Sequence, residues 1–172
     1  MNVFVDTSFL RHLEYVRRVG LIETIHSKLG WKFSIGQTVF NELEKGHIGA
    51  DIQRLLDEGV ILVEKPPSPS RTLNSRLVGL DPGERELLLI AAQCTDEMFG
   101  KRLILTDDRR AQSESGRLDI DSLEILGFLS LCNEKAFLSK MDSICALSAL
   151  KNHGFYIGED IERDFTNRLR DI

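Results

Sequence analysis

Short β-branched and aromatic runs alternate along this chain with stretches of helical periodicity, and that alternation restricts the fold more than any other feature. The runs are Asn2–Val5, Trp31–Ile35, Val60–Val63 and Arg102–Thr106. Strands interleaved with helices pair in parallel, because parallel neighbours need a long crossover that a helix supplies. The expected class is α/β, with a central parallel sheet between two helical layers. A chain of 172 residues is long enough to bury one proper core.

Between the runs the punctuation is explicit. After Asp6 a helical stretch passes through Leu10, Leu13, Glu14 and Arg17, and a second runs from Leu21 to Leu29 with Gly30 as its stop. Thr38–Lys45 reads as a helix closed by Gly46, and Ile48–Glu58 as another closed by Gly59. Lys65-Pro66-Pro67-Ser68-Pro69-Ser70 is expected to be a loop between elements. Asp81-Pro82-Gly83-Glu84 then opens a long helix, with Asp at the N-cap, Pro at the first position and Glu at the third. Its face Leu87, Leu88, Ile90, Ala91 and Cys94 is apolar, and Gly100 is its expected end. From Ser122 onward the pattern is helical, with a break at Asn152 and Gly154 and a last amphipathic helix near Ile157–Leu169. Residues 1–130 are expected to form the main domain, and 131–172 a helical extension packed on it.

Acidic residues recur at the element ends. Asp6 terminates the first strand and precedes Thr7, Ser8 and a helix, which places its carboxylate at the C-terminal edge of the sheet, where open α/β sheets bind ligands. Asp107 and Asp108 end the strand Arg102–Thr106 in the same way, and Glu42 and the pair Glu84/Glu86 lie on helices able to reach that edge. Each has a bland alternative. Asp6, Asp107 and Asp108 fit helix N-caps, Glu84 completes a capping box with Asp81, and Glu42 fits a solvated helix face. Their joint placement favours a shared site. Carboxylates so gathered repel unless a divalent cation compensates them, and an all-oxygen donor set suits Mg²⁺ or Mn²⁺ rather than zinc. Such a cation activates water and offsets charge on a phosphodiester, so the expected chemistry is metal-assisted phosphoryl transfer to water.

Composition removes other classes. No apolar run approaches the roughly 20 residues of a bilayer-spanning helix, and the N-terminus has no basic region of the kind that precedes a signal-peptide core. Cys94, Cys132 and Cys145 are odd in number, widely spaced and without a CxxC, which reads as reduced core thiols in a cytoplasmic protein. A net charge of −5 argues against a general nucleic-acid coating protein.

The stretches Val5-Asp6-Thr7-Ser8, Val39-Phe40-Asn41-Glu42-Leu43, Glu86-Leu87-Leu88-Leu89-Ile90-Ala91-Ala92 and Leu105-Thr106-Asp107-Asp108 resemble, in order and spacing, the motifs of PIN-domain ribonucleases. Asp81–Glu86, Asp121–Leu131 and Leu150–Ile157 are similar to an uncharacterised PIN-like subfamily with extra C-terminal helices. The resemblance implies a divalent-metal-dependent endoribonuclease using Mg²⁺ or Mn²⁺, commonly the toxin of a toxin–antitoxin pair held inactive by a small antitoxin protein, and commonly a homodimer. Asp6, Glu42, one of Glu84 and Glu86, and one of Asp107 and Asp108 would then hold metal or orient the attacking water. Glu86 fits the family's helix pattern and Asp108 its T-x-D spacing; Thr7, Ser8 and Thr106 would orient those carboxylates. Ala111-Gln112 stands where the subfamily often has Ala-Arg, which removes one basic contact the resemblance implies. Other classes compatible with the same residues are a catalytically inactive PIN-like binding or scaffold protein and a structure-specific DNA nuclease.

Weaker signals flank these. Arg11, Lys45, His47, Arg109 and Arg110 lie near the acidic positions and suit phosphate contacts, with solvated surface charge as the more ordinary role. His12 and His47 are isolated. Trp31 and Phe33 read as core. The helical stripe Phe137, Met141, Ile144, Cys145 and Ser148 reads as core or dimer packing.

Overall fold

The computed structural model of the chain describes all residues but 67, 69, 70, 95–100 and 172, together with the side chains of 71 and 72. Five parallel strands, β1 (Asn2–Val5), β2 (Lys32–Gly36), β3 (Ile61–Glu64), β4 (Arg102–Leu105) and β5 (Asp121–Leu123), lie in the order β3-β2-β1-β4-β5. Val3, Phe4 and Val5 are all buried, as are Phe33, Ser34 and Ile35 and also Leu103, Ile104 and Leu105. Consecutive strand residues point to opposite faces, so burial of every one means that helices cover both. This is the expected three-layer α/β architecture.

Helix α1 (Thr7–Tyr15) and α2 (Gly20–Leu29) lead from β1 to β2, and α3 (Gln37–Lys45) and α4 (Ala50–Asp57) from β2 to β3. α5 (Arg71–Arg76) and α6 (Pro82–Gln93) carry the chain back across the sheet to β4, with α6 packed over β1, β2 and β4. α7 (Arg109–Arg117) joins β4 to β5. The strand order therefore reverses between β1 and β4. Both strands present their C-terminal ends to the same edge there, in the register Val5 opposite Leu105, which makes it the crevice that open α/β sheets use for ligands.

Several element ends follow the sequence. Gly30 takes φ +66 at the end of α2, a conformation glycine adopts without penalty. Asp81 and Glu84 form the capping box of α6. The expected end at Gly100 lies outside the described residues, as do Pro67, Pro69 and Ser70 of the proline segment, while Lys65, Pro66 and Ser68 carry no regular structure.

Other points differ. Helical structure does not begin at Ser122, because Asp121–Leu123 forms β5, paired through Leu103 with Asp121 and Leu105 with Leu123. Three residues beginning with Asp and Ser carry no strand pattern of their own; the register comes from β4. Beyond it lie α8 (Ile125–Glu134), α9 (Lys140–Asn152) and α10 (Glu159–Arg168). α8 packs on α1, where Phe9 and Phe128 meet edge to face at 5.4 Å, and α9 and α10 pack on α8. Buried Asn133 ties the end of the chain to α8, accepting the Arg170 N–H at 2.7 Å and donating to the Leu138 carbonyl at 3.0 Å. The buried side of α9 is Ser143, Ala146, Leu147 and Leu150, so the stripe of Met141, Cys145 and Ser148 faces outward and is not core. Cys145 is correspondingly exposed and Cys94 half-buried, leaving Cys132 as the core thiol. The small residues Ser143 and Ala146 let α9 approach its neighbours more closely than the larger stripe would.

Candidate metal centre

Asp6 follows β1 and occupies the N-cap position of α1. It is buried, and its Oδ2 accepts the Ser8 hydroxyl at 2.5 Å. Burial is the largest influence on this carboxyl and raises its pKa; the Ser8 hydroxyl and the Thr7 and Ser8 N–H groups pull it back, and nearby Glu42 raises it.

Glu42 lies on α3 with Oε2 accepting the Thr7 hydroxyl at 2.5 Å. Its carboxylate also lies beside Gly83, both oxygens about 3.6 Å from the point where a Cβ there would stand. Gly83 is buried in the first turn of α6, so Glu42 reaches the positive end of that helix. Glu84, one residue on, has its pKa pushed up to about 7, first by burial and then by the negative charge of Asp108, with Asp6 and Asp81 adding to it. The Asp81 N–H donates to Glu84 Oε2 at 3.3 Å and opposes the rise. Asp108 caps α7 through Oδ1, which accepts the Ala111 N–H at 2.7 Å, and its own N–H donates to the hydroxyl of buried Thr106 at 3.2 Å. Asp6, Glu42, Glu84 and Asp108 are thus brought together at the crevice, each within the field of at least one other.

The remaining two acids are hydrogen-bonded to the starts of other helices. Glu86 is buried against the start of α3, where Oε2 accepts the Thr38 N–H at 2.5 Å. The N-cap of α3 is Gly36, which has no side chain to satisfy the first turn, and Glu86 performs that task from another helix. A Cβ at Gly36 would stand 2.4 Å from Glu86 Oε2, so the glycine makes room for it. Asp107 behaves alike. Its Oδ1 accepts the Ile125 N–H at 2.9 Å, at the start of α8, and Oδ2 meets His12 Nδ1 at 2.8 Å. Glu86 and Asp107 are thus each engaged by the first turn of another helix, and neither is among the charges that raise Asp6 or Glu84. His12, with no partner apparent in the sequence, is fixed by Asp107 and by the Phe155 ring 4.8 Å away; no local pattern foretells a pair 95 residues apart.

Among the basic candidates, Arg11 is committed to structure. It pairs with Glu14 at 2.8 Å and donates to the His47 carbonyl at 3.0 Å, passing over Gly46. Lys45, His47, Arg109 and Arg110 are exposed.

The donors are all carboxylate oxygens, and the pKa values of Asp6 and Glu84 are raised first by burial and further by neighbouring carboxylates. In chemistry they fit a hard divalent cation. In position they do not converge on one point: among the described residues no three carboxylate, histidine or cysteine side chains stand close enough to share an ion. Glu42 Oε1 and Asp108 Oδ2 have no hydrogen-bond partner among the described residues, so both retain an oxygen to offer.

A family model described as "DUF3368: PIN domain" matches residues 2–171, and the chain belongs to that family. PIN domains are in general nucleases, and in general they use divalent metal ions. A solved structure of a PilT N-terminus domain protein, SSO1118, from the hyperthermophilic archaeon Sulfolobus solfataricus P2 is similar in fold. It superposes with a TM-score of 0.50 at 18% identity, over 91% of this chain and 100% of that one. No curated protein matches. Among the described residues no helix is long and apolar enough to cross a membrane.

Proposed function

We propose that this chain is an endoribonuclease dependent on Mg²⁺ or Mn²⁺, with Asp6, Glu42, Glu84 and Asp108 as its metal-holding carboxylates. The observation that carries the reading is the gathering of acids at the β1/β4 crevice, where partial burial and then the charges of Asp108 and Asp6 push half-buried Glu84 up to about 7. A fold maintains such repulsion at a cost unless a cation relieves it. Bound there, a divalent ion would supply an activated water and offset charge on the phosphate under attack. The chain's own part is positional. The Thr7 and Ser8 hydroxyls hold Glu42 and Asp6 in place, the Thr106 hydroxyl holds the turn that carries Asp108, and the N-terminus of α6 faces the crevice with a partial positive charge suited to phosphate. Hydrolysis then adds water across the phosphodiester, with the water oxygen bonding to phosphorus and the sugar oxygen leaving with a proton.

The finer points of the proposal, an RNA substrate, a toxin role in a pair silenced by a small antitoxin and a homodimer, rest on the resemblance to PIN-domain ribonucleases, and a cytoplasmic location rests on the three unpaired cysteines. Offering single-stranded RNA beside structured DNA, with each metal, tests the substrate; cleavage confined to DNA would refute it. Co-purification with the product of a small neighbouring reading frame, together with loss of cleavage in that complex, tests the toxin role.

A further inference from the structure

Next to the crevice, on the far side of Asp107, lies a cavity of about 270 Å³ that the carboxylate group does not use. Its walls come from the start of α7, the start of α8 and the loop between α9 and α10. Tyr156 stands at this cavity and is 93% exposed. Single exposed aromatics are ordinary, but this one is held out by its neighbours. Phe155 packs edge-on against His12, its N–H donates to the Leu150 carbonyl at 3.0 Å, and Ile157 packs on the core. Arg109 shares the cavity and makes no ion pair among the described residues.

Apart from Arg109 and the Tyr156 hydroxyl, the polar side chains facing the cavity offer acceptors. Gln112 donates one Nε2 hydrogen to the Thr106 carbonyl at 2.9 Å, which leaves Oε1 as an acceptor beside its second N–H. The Glu124 carboxylate has no partner among the described residues and only accepts. Asp107 is already occupied by His12 and the Ile125 N–H. An apolar stacking face, one free guanidinium and the acceptor oxygens of Glu124 and Gln112 suit a flat ring that presents donors on its edge and carries a phosphate.

We propose that this cavity is a nucleobase subsite that takes an unpaired guanine of the substrate strand, stacked on Tyr156, with its phosphate at Arg109 and its N–H edge at Glu124. The proposal rests on the nuclease reading of the neighbouring carboxylates. Guanine places a ring N–H and an amino group side by side, the arrangement a carboxylate accepts twice; uracil offers a single N–H. Asp107 and Arg109 flank Asp108 in sequence, so a base here leaves the adjoining phosphate of the same strand next to the crevice.

Fluorescence anisotropy in EDTA reads binding without turnover, using a short oligouridine, the same strand with one central guanosine, and a duplex of the latter. The guanosine strand is expected to bind wild type about tenfold more tightly than oligouridine, and the duplex weakly. Tyr156→Ala is expected to weaken the guanosine strand roughly 5- to 100-fold, Tyr156→Phe to stay within about twofold of wild type, and Glu124→Gln to level the two single strands. Tyr156 is exposed, so its loss does not threaten folding. Wild-type affinity in Tyr156→Ala, equal binding of the two strands, duplex binding as tight as single-strand binding, or no RNA binding would each overturn the subsite. Cleavage with Mn²⁺ at a KM that Tyr156→Ala does not alter would remove the subsite and keep the nuclease. Guanosine-selective binding without cleavage would keep the subsite and remove the nuclease.

Discussion

Glu84 and Glu86 are two residues apart on one helix, and Asp107 and Asp108 are adjacent, yet each pair divides its labour in the same way. One member faces the other carboxylates of the crevice; its neighbour satisfies the first turn of a distant helix. The two roles predict opposite mutational signatures. Glu86→Ala strands the Thr38 N–H in the interior and should lower stability by about 1–3 kcal/mol, or roughly 2–4 °C in Tm per kcal/mol for a chain of this size. Glu86→Gln keeps an acceptor and should cost less. Asp6→Asn removes repelling charge while its amide oxygen still accepts the Ser8 hydroxyl, so thermal melts without metal should show unchanged or raised stability. A fall in Tm matching that of Glu86→Ala would contradict this division. Glu84 adds a pH dependence. Its folded pKa of about 7 lies above the ordinary 4.5, so its contribution is fully present below 4.5 and is lost as pH rises through 7. Without metal, Tm should fall across that window, and Glu84→Gln should flatten the fall; an equal slope in both proteins would count against the raised pKa of Glu84.

At the scale of elements, the sequence discloses whatever is local. Asp81 and Glu84 sit within one turn, so the capping box of α6 is legible, and the structure keeps that role for Glu84 while also turning it toward Asp108. The caps of α3 and α8 are not legible. Gly36 and Glu124 occupy the N-cap positions without capping through a side chain, and the real partners stand 48 and 18 residues away. Motif spacing alone therefore could not separate Glu84 from Glu86, or Asp107 from Asp108. β5 was hidden for a related reason, since Asp121–Leu123 becomes a strand only beside β4. The outward stripe on α9 misled because helical spacing identifies a face but not which face is buried. Gly36→Ala tests the cap across elements directly. A Cβ 2.4 Å from Glu86 Oε2 forces the carboxylate off the Thr38 N–H, so the expected loss is again about 1–3 kcal/mol by chemical denaturation. A neutral result would show that α3 does not need Glu86.

For the whole molecule, the decisive feature is the reversal of strand order between β1 and β4, which delivers Asp6 and Asp108 to one crevice while α3 and α6 bring Glu42 and Glu84. Metal and proton compete for the same carboxylates. Mn²⁺ should therefore stabilise the fold more at pH 7.5 than at pH 5.5, approaching about 2.7 kcal/mol when free metal reaches a hundredfold excess over Kd. Calorimetric titration at the two pH values checks this, and pH-independent affinity would separate the metal from Glu84. The most direct test of the central claim is cleavage of single-stranded RNA with Mg²⁺ or Mn²⁺ by wild type, Asp6→Asn and Glu86→Gln in parallel. Loss of a carboxylate that orients a ligand already costs 10–100-fold, so Asp6→Asn should cost at least about 100-fold while Glu86→Gln stays near wild type. Equal activity of wild type and Asp6→Asn would contradict the assignment of this crevice as the reaction site.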